Sequence, residues 1–233
     1  MKVPPGRRRL CVAYDIAGYS SRELRAQFDA QSRLSEFLGA ACSAVGLSTQ
    51  EYAIQQQGDG GLALLPTGGE IDEPRLIGTF MRTIAEQLED ANRFRSQDSR
   101  LRLRIALHEG VVFVADHGYV GDAIVAAFRM CDAAPVRRAL ADSPEADYVL
   151  VASDPLYQDV LRHGLHGVPG DAFVKHALSV KSFSADAWIY LAGAPTAPTA
   201  PTAPAAESPA APAEAVPDNL SLREILDLDP DGW

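Results

Sequence analysis

YAIQQQGDGG, residues 52–61, runs an alternating strand into a glycine-rich turn and leaves an acidic residue, Asp59, in that turn with no basic neighbour beside it. The next run, GLALLP (residues 61–66), is again strand-like. Gly58-Asp59-Gly60 therefore reads as the tight connection of an antiparallel hairpin. Upstream, RLCVAYDI (residues 9–16) is an apolar run that ends on a second aspartate, Asp15. It is followed by Ile16-Ala17-Gly18-Tyr19-Ser20, a glycine-containing turn. Apolar residues at Leu24, Phe28, Leu34, Phe37, Leu38 and Ala41 recur at helical spacing and predict a helix over residues 21–45.

Past the hairpin, helical spacing predicts a second helix over residues 74–94. LRLRIALHEG and VVFVAD then supply strands, and GDAIVAAFRMCDAAPVRRAL a third helix interrupted by Pro135. DYVLVAS reads as a strand and DPLYQDVLRHG as a short helix capped by Asp154. HALSVKSFSADAWIYL supplies two more β-like runs. Strands and helices alternate around a central hairpin, which predicts an α/β or α+β domain with a mixed sheet.

A change of composition divides the chain. Residues 1–8 form a short basic leader, and residues 9–192 the folded domain. Residues 193–218, rich in Pro, Ala and Thr, read as an extended linker that cannot bury apolar area. In residues 219–233, Leu222, Ile225, Leu226 and Leu228 follow Asn219 and Ser221 as candidate caps. They predict a short acidic amphipathic helix, either a docking peptide for a protein partner or a frayed tail.

The formal net charge of −10 argues against a nucleic-acid partner, and the 47% hydrophobic content is enough for a full core. Three cysteines, Cys11, Cys42 and Cys131, lie in apolar segments and fit reduced core thiols, hence the cytoplasm, rather than disulfides or a zinc site. His163, His166 and His176 have no ligand-like spacing with them. The apolar run at the N-terminus is broken by Asp15, so no membrane span or secretory segment is expected.

If the first strand lies beside the hairpin, Asp15 and Asp59 meet at one end of the sheet. Two carboxylates that close repel each other unless a divalent cation, Mg²⁺ or Mn²⁺, bridges them. The turn after Asp15 would present backbone N–H groups suited to phosphate. Alternatively Asp15 caps a helix and Asp59 merely serves its turn.

VAYDIAGYSSR, IQQQGDGGLALLP, LRLRIALHEGVV, GYVGDAIVAAFRMCDA and LSVKSFSADAWIYL, in that order, together resemble the class III nucleotidyl cyclase catalytic domain. The resemblance implies a ferredoxin-like α/β fold and a head-to-tail homodimer with composite sites. It also implies two-metal conversion of a nucleoside triphosphate to a 3′,5′-cyclic nucleotide and pyrophosphate. By it, Asp15 and Asp59 hold the metals with the Ile16 carbonyl, and Gly18, Tyr19 and Ser20 offer donors to the triphosphate. Arg129 stabilises charge on the α-phosphate, and Lys181 approaches the triphosphate. His108 falls where the family often has a structural histidine.

The departures from the family lie around the base and the ribose. Gln55 stands where purine cyclases carry a charged base reader, and Gly118 at the second base-reading position. Val125 stands where an asparagine positions the ribose, a duty that nearby Asp122 could take. A neutral Gln55 offers both a donor and an acceptor and leaves the base open, a pyrimidine included. Relatives that make cyclic CMP or cyclic UMP act in bacterial defence against phage, and the resemblance extends to that antiviral role. The other readings are a catalytically impaired cyclase-homology domain that binds nucleotide or a partner, and a structural dimerisation module.

Overall fold

The computed structural model describes residues 4–164 and 169–192. The linker and the final amphipathic segment expected from the sequence, and His166, lie outside the described residues. The first strand, β1 (Arg7–Ile16), is followed by α1 (Leu24–Ala44), the hairpin β2 (Ala53–Gln57) and β3 (Gly60–Pro66), α2 (Glu73–Asn92) and β4 (Leu103–Ala115). These strands lie in the order β2-β3-β1-β4 and every neighbouring pair is antiparallel, the ferredoxin-like arrangement. The remainder comprises β5 (Gly118–Val120), α3 (Asp122–Cys131), α4 (Ala134–Ala141), β6 (Tyr148–Ser153), α5 (Asp154–Asp159), β7 (Val174–Val180) and β8 (Phe183–Leu191). They extend the sheet beyond β4 as β6-β8-β7, with β6 parallel to β4, while β5 pairs only with β4. The mixed sheet expected from the sequence is the one found.

Side chains alternate across the sheet with the period of two that strands impose. On β1, Leu10, Val12, Tyr14 and Ile16 enter a core built with α1, α2 and α5, whereas Cys11 and Ala13 enter a second core under α3 and α4. All three cysteines are free and buried. Burial raises the thiols of Cys11, Cys42 and Cys131, so they behave as small hydrophobic residues.

Several local expectations are corrected. The helix after the first strand begins at Leu24, not Ser21. Gly18 adopts a left-handed conformation (φ 67°), a 3₁₀ turn covers Tyr19–Ser21, and Arg22 and Glu23 are extended before α1 starts. Asp154 is the first helical residue of α5 rather than its cap. Its carboxylate instead accepts from Trp188 Nε1 at 2.8 Å. VVFVAD is no separate strand but the end of β4, which outruns β1 and pairs its last residues with the short β5. Pro135 breaks the third helical run as expected, sitting in the first turn of α4 where its missing N–H costs nothing.

Candidate functional site

The register of β1 places Asp15 opposite Gly60 on β3 and opposite Arg104 on β4. One residue further on, the Ile16 amide donates to the Asp59 carbonyl at 2.9 Å. The β2–β3 turn is thereby pinned to the end of β1, and Asp15 and Asp59 occupy neighbouring positions at one sheet end. The connection is a two-residue loop, Gly58-Asp59, with φ +58° at Gly58 and none at Asp59. A glycine is needed at that first position only, the pattern of a type II′ hairpin. From the helical layer, Gln31 on α1 donates to the Gly58 carbonyl at 2.6 Å, and Gln56 on β2 donates to Ser35 Oγ at 2.6 Å. The turn that carries Asp59 is thus held on both sides.

Asp15 is three-quarters buried, with 24% of its side chain exposed. Both Arg104 Nε (2.9 Å) and Arg104 Nη2 donate to its Oδ2. Burial raises the Asp15 pKa, Arg104 opposes that rise, and Asp59 and Asp132 add to it. Burial also works against the Arg104 charge, which Asp15, with Cys131 and Asp132, more than offsets, so the arginine pKa rises as well. The two partners thus pull differently on the pair. Near neutral pH we take it as ionised, because an arginine does not give up its proton and two N–H groups converge on one carboxylate oxygen. Arg104 is the residue that sequence reasoning missed. Only the β1–β4 register reveals it.

Among the described residues no group of three or more His, Cys, Asp or Glu could hold a metal ion. A site for Mg²⁺ does not need one. That ion keeps several waters and is held by one or two carboxylates together with substrate phosphates. Asp15 and Asp59 fit such a donor set, since each acid raises the electrostatic demand for a cation and Asp59 acts directly on Asp15.

The remaining sequence-derived candidates fall into separate groups. Gln55 on β2 and Gly118 on β5 are brought together: a Cβ built on Gly118 would meet Gln55 Oε1 at 2.8 Å and Nε2 at 3.1 Å. The Gln55 carboxamide therefore fills the space that a side chain at 118 would have used. Asp122, Val125 and Arg129 lie along α3, with Val125 49% exposed and Arg129 half-buried without an ion pair among the described residues. Lys181 lies in the exposed turn between β7 and β8, at the sheet edge opposite the β2–β3 hairpin, with a positive φ of 53°. His108 is half-buried on β4, with Nδ1 lacking a partner and its pKa lowered by burial and by Arg8.

No family model matches the sequence, and no curated protein matches it. Solved structures do. An adenylate/guanylate cyclase/hydrolase from Silicibacter pomeroyi shares 20% identity at a TM-score of 0.54, covering 80% of this chain and 97% of that one. The guanylyl cyclase Cya2 shares 15% identity at 0.53, covering 82% and 93%. The catalytic core of a rhodopsin-guanylyl cyclase with converted specificity, in complex with ATPαS, shares 18% at 0.51, covering 82% and 99%. The chain therefore has the fold of the class III nucleotidyl cyclase catalytic domain.

Proposed function

We propose that the protein is a nucleotidyl cyclase, converting a nucleoside triphosphate to its 3′,5′-cyclic monophosphate and pyrophosphate. The observation that carries this reading is the convergence of Asp15 and Asp59 at one sheet end of a cyclase fold. Asp15, Asp59 and the Ile16 carbonyl would hold two divalent cations, Mg²⁺ or Mn²⁺. Bound there, the cations supply a lowered pKa for the ribose 3′-hydroxyl and neutralise phosphate charge. The chain's own residues do the rest. The turn Gly18-Tyr19-Ser20 offers backbone donors to the triphosphate. Arg104 holds Asp15 ionised and aimed, and its Nη1 has no hydrogen bond among the described residues, so a phosphate oxygen would complete its donor set.

Arg129 supplies a guanidinium for charge that develops on the α-phosphate. Arg129 is half-buried and has no ion pair among the described residues, which leaves it free to serve the site of a second copy of the chain. The exposed valines Val111, Val114, Val120 and Val125 on β4, β5 and α3 are apolar side chains, on both faces of β4, that a homodimer with composite sites would cover. The base is read by Gln55 alone, because Gly118 contributes no side chain. That leaves purines without a charged reader and makes a pyrimidine a substrate to test, with an antiviral signalling role as its corollary. No described helix is long and apolar enough to cross a membrane, and a cytoplasmic location accords with three buried free thiols.

Incubation with each of the four ribonucleoside triphosphates and Mn²⁺, followed by assay of cyclic product and pyrophosphate, tests this reading. Asp59→Ala is the control and is expected to be inactive. A second reading, an impaired domain that binds nucleotide without turning it over, is favoured by Val125 and Gly118. It would win if no triphosphate were cyclised while one raised the melting temperature only with metal.

A further inference from the structure

Next to Asp15 the surface opens into a groove of about 1160 Å³ that starts at the Ala17–Gly18 turn and runs away from it between α1, the loop before β4 and the end of α4. Six arginines line it: Arg22, Arg95, Arg100, Arg102, Arg104 and Arg137, against two lining acids, Glu23 and Asp98. Four of the six are paired with carboxylates, Arg95 with Asp29 at 2.7 Å, Arg100 with Asp147 at 2.6 Å, Arg137 with Asp132 at 3.3 Å, and Arg104 with Asp15. Arg102 spends its N–H groups on the carbonyls of Leu140, Ser143 and Ala146, which anchors the end of α4. Arg22 has no carboxylate partner among the described residues. Its Nη2 donates to the Arg100 carbonyl at 2.6 Å, while Arg22 Nε and Arg100 Nε are buried donors without any acceptor.

Those two Nε atoms are shut off from the groove, whereas Nη1 of Arg22 and of Arg100 makes no hydrogen bond among the described residues and is not buried, so each is free to meet an anion there. Burial and the neighbouring Arg95 both press on the Arg22 charge, Asp29 offsets this only in part, and an anion in the groove would add to that support. A guanidinium already paired on one edge still has donors on another, which suits an oxyanion with several oxygens.

We propose that this groove is a second anion site, in which Arg22 and Arg100, with Arg137 at the rim, take an inorganic pyrophosphate or longer polyphosphate apart from the metal-held nucleotide. That the anion is the reaction's own leaving pyrophosphate rests on the cyclase reading. That the groove takes a polyphosphate does not.

The test titrates inorganic pyrophosphate and tripolyphosphate into the full chain, freed of divalent cations on a chelating resin, and follows binding by calorimetry. One saturable site is expected, kept by Asp59→Ala and weakened about tenfold or more by Arg22→Gln. Arg137→Gln, an exposed change that the fold tolerates, is expected to weaken it too and decides the matter if Arg22→Gln fails to fold. Absence of metal-free binding, its loss in Asp59→Ala, or indifference to the arginine variants overturns the proposal. Metal-free binding in a protein that cyclises no triphosphate would sink the cyclase reading alone. Cyclisation without metal-free binding would sink the second site alone.

Discussion

Asp15 and Arg104 face each other across β1 and β4 at paired positions, and both Nε and Nη2 of the arginine reach the same carboxylate oxygen. A cation is therefore built into the sheet beside one of the two acids proposed to hold metal. It makes the ionised carboxylate tolerable in a part-buried place without cancelling the cost of burying it, since the Asp15 pKa still lies above its ordinary value.

The first prediction concerns pH. Between the ordinary aspartate pKa of 3.8 and the raised folded value, the native protein binds more protons than the unfolded chain. The Asp15 contribution to stability therefore falls as pH rises through that window. Metal-free Asp15→Asn is expected to gain on the wild type as pH rises through the window and to show no such gain below it, measured by urea midpoints. Mn²⁺ affinity moves the other way, lost as pH falls through the raised pKa. An equal pH response of the two proteins would count against a buried, protonatable Asp15.

Arg104→Ala leaves that carboxylate part-buried without its cation. A loss of about 1–3 kcal/mol is expected in denaturant titrations, together with a further upward shift of the pH at which metal affinity is lost. Arg104→Lys keeps the charge but not the two N–H groups on one oxygen, so it should fall between.

The elements that form the site were legible where pattern alone fixes them. Alternation in residues 52–66 and the glycine turn gave the hairpin, and the apolar run ending at Asp15 gave the strand beside it. Arg104 was invisible because LRLRIALHEG shows only alternation, and nothing in one sequence says that Arg104 rather than Arg102 lies opposite Asp15. A two-residue slip, which keeps every side chain on its own face, would exchange them. β5 is three residues long, too short for any periodicity, and the meeting of Gln55 with Gly118 depends on it. The start of α1 was misplaced because Tyr19–Ser21 form a turn whose composition also suits a helix start.

Gly60 on β3 lies opposite Asp15 on β1. A Cβ there would lie 2.4 Å from the Tyr14 carbonyl oxygen, a backbone atom that cannot swing aside. Gly60→Ala is expected to cost about 1–3 kcal/mol by overpacking and to displace the adjacent Asp59, reducing Mn²⁺ affinity with it. Gly58→Ala has open space around its Cβ and pays only for a left-handed conformation, about 1–2 kcal/mol. Thermal melts with and without Mn²⁺ separate the two: the metal-induced rise should shrink more in Gly60→Ala.

Asn92, 5% exposed at the end of α2, donates to the Leu101 carbonyl at 2.8 Å and to Asp147 Oδ1 at 2.5 Å, and accepts from the Leu101 amide at 2.8 Å. Truncation strands two buried backbone groups and loosens the acid that holds Arg100. Asn92→Ala is expected to lose about 2–4 kcal/mol while Mn²⁺ affinity stays unchanged in the fraction that remains folded. A changed metal affinity would place Asn92 in the site rather than beneath it.

Val125 offers a gain rather than a loss. It lies one helical turn before Arg129 on α3 with 49% of its surface exposed, so replacing it by a polar residue should shift stability by less than about 0.5 kcal/mol. If the missing ribose contact limits the reaction, Val125→Asn supplies an amide where the resemblance implies one. The expected result is a kcat raised about tenfold with KM little changed, because the contact orients the 3′-hydroxyl for attack rather than binding the nucleotide more tightly. In mixtures with an excess of Asp59→Ala, inactive by itself, the gain should disappear if α3 of one copy completes the acid site of the other, because each intact acid site then meets a helix that still carries Val125. Activity equal to that of Val125→Asn alone at the same concentration would point instead to a site completed within a single chain.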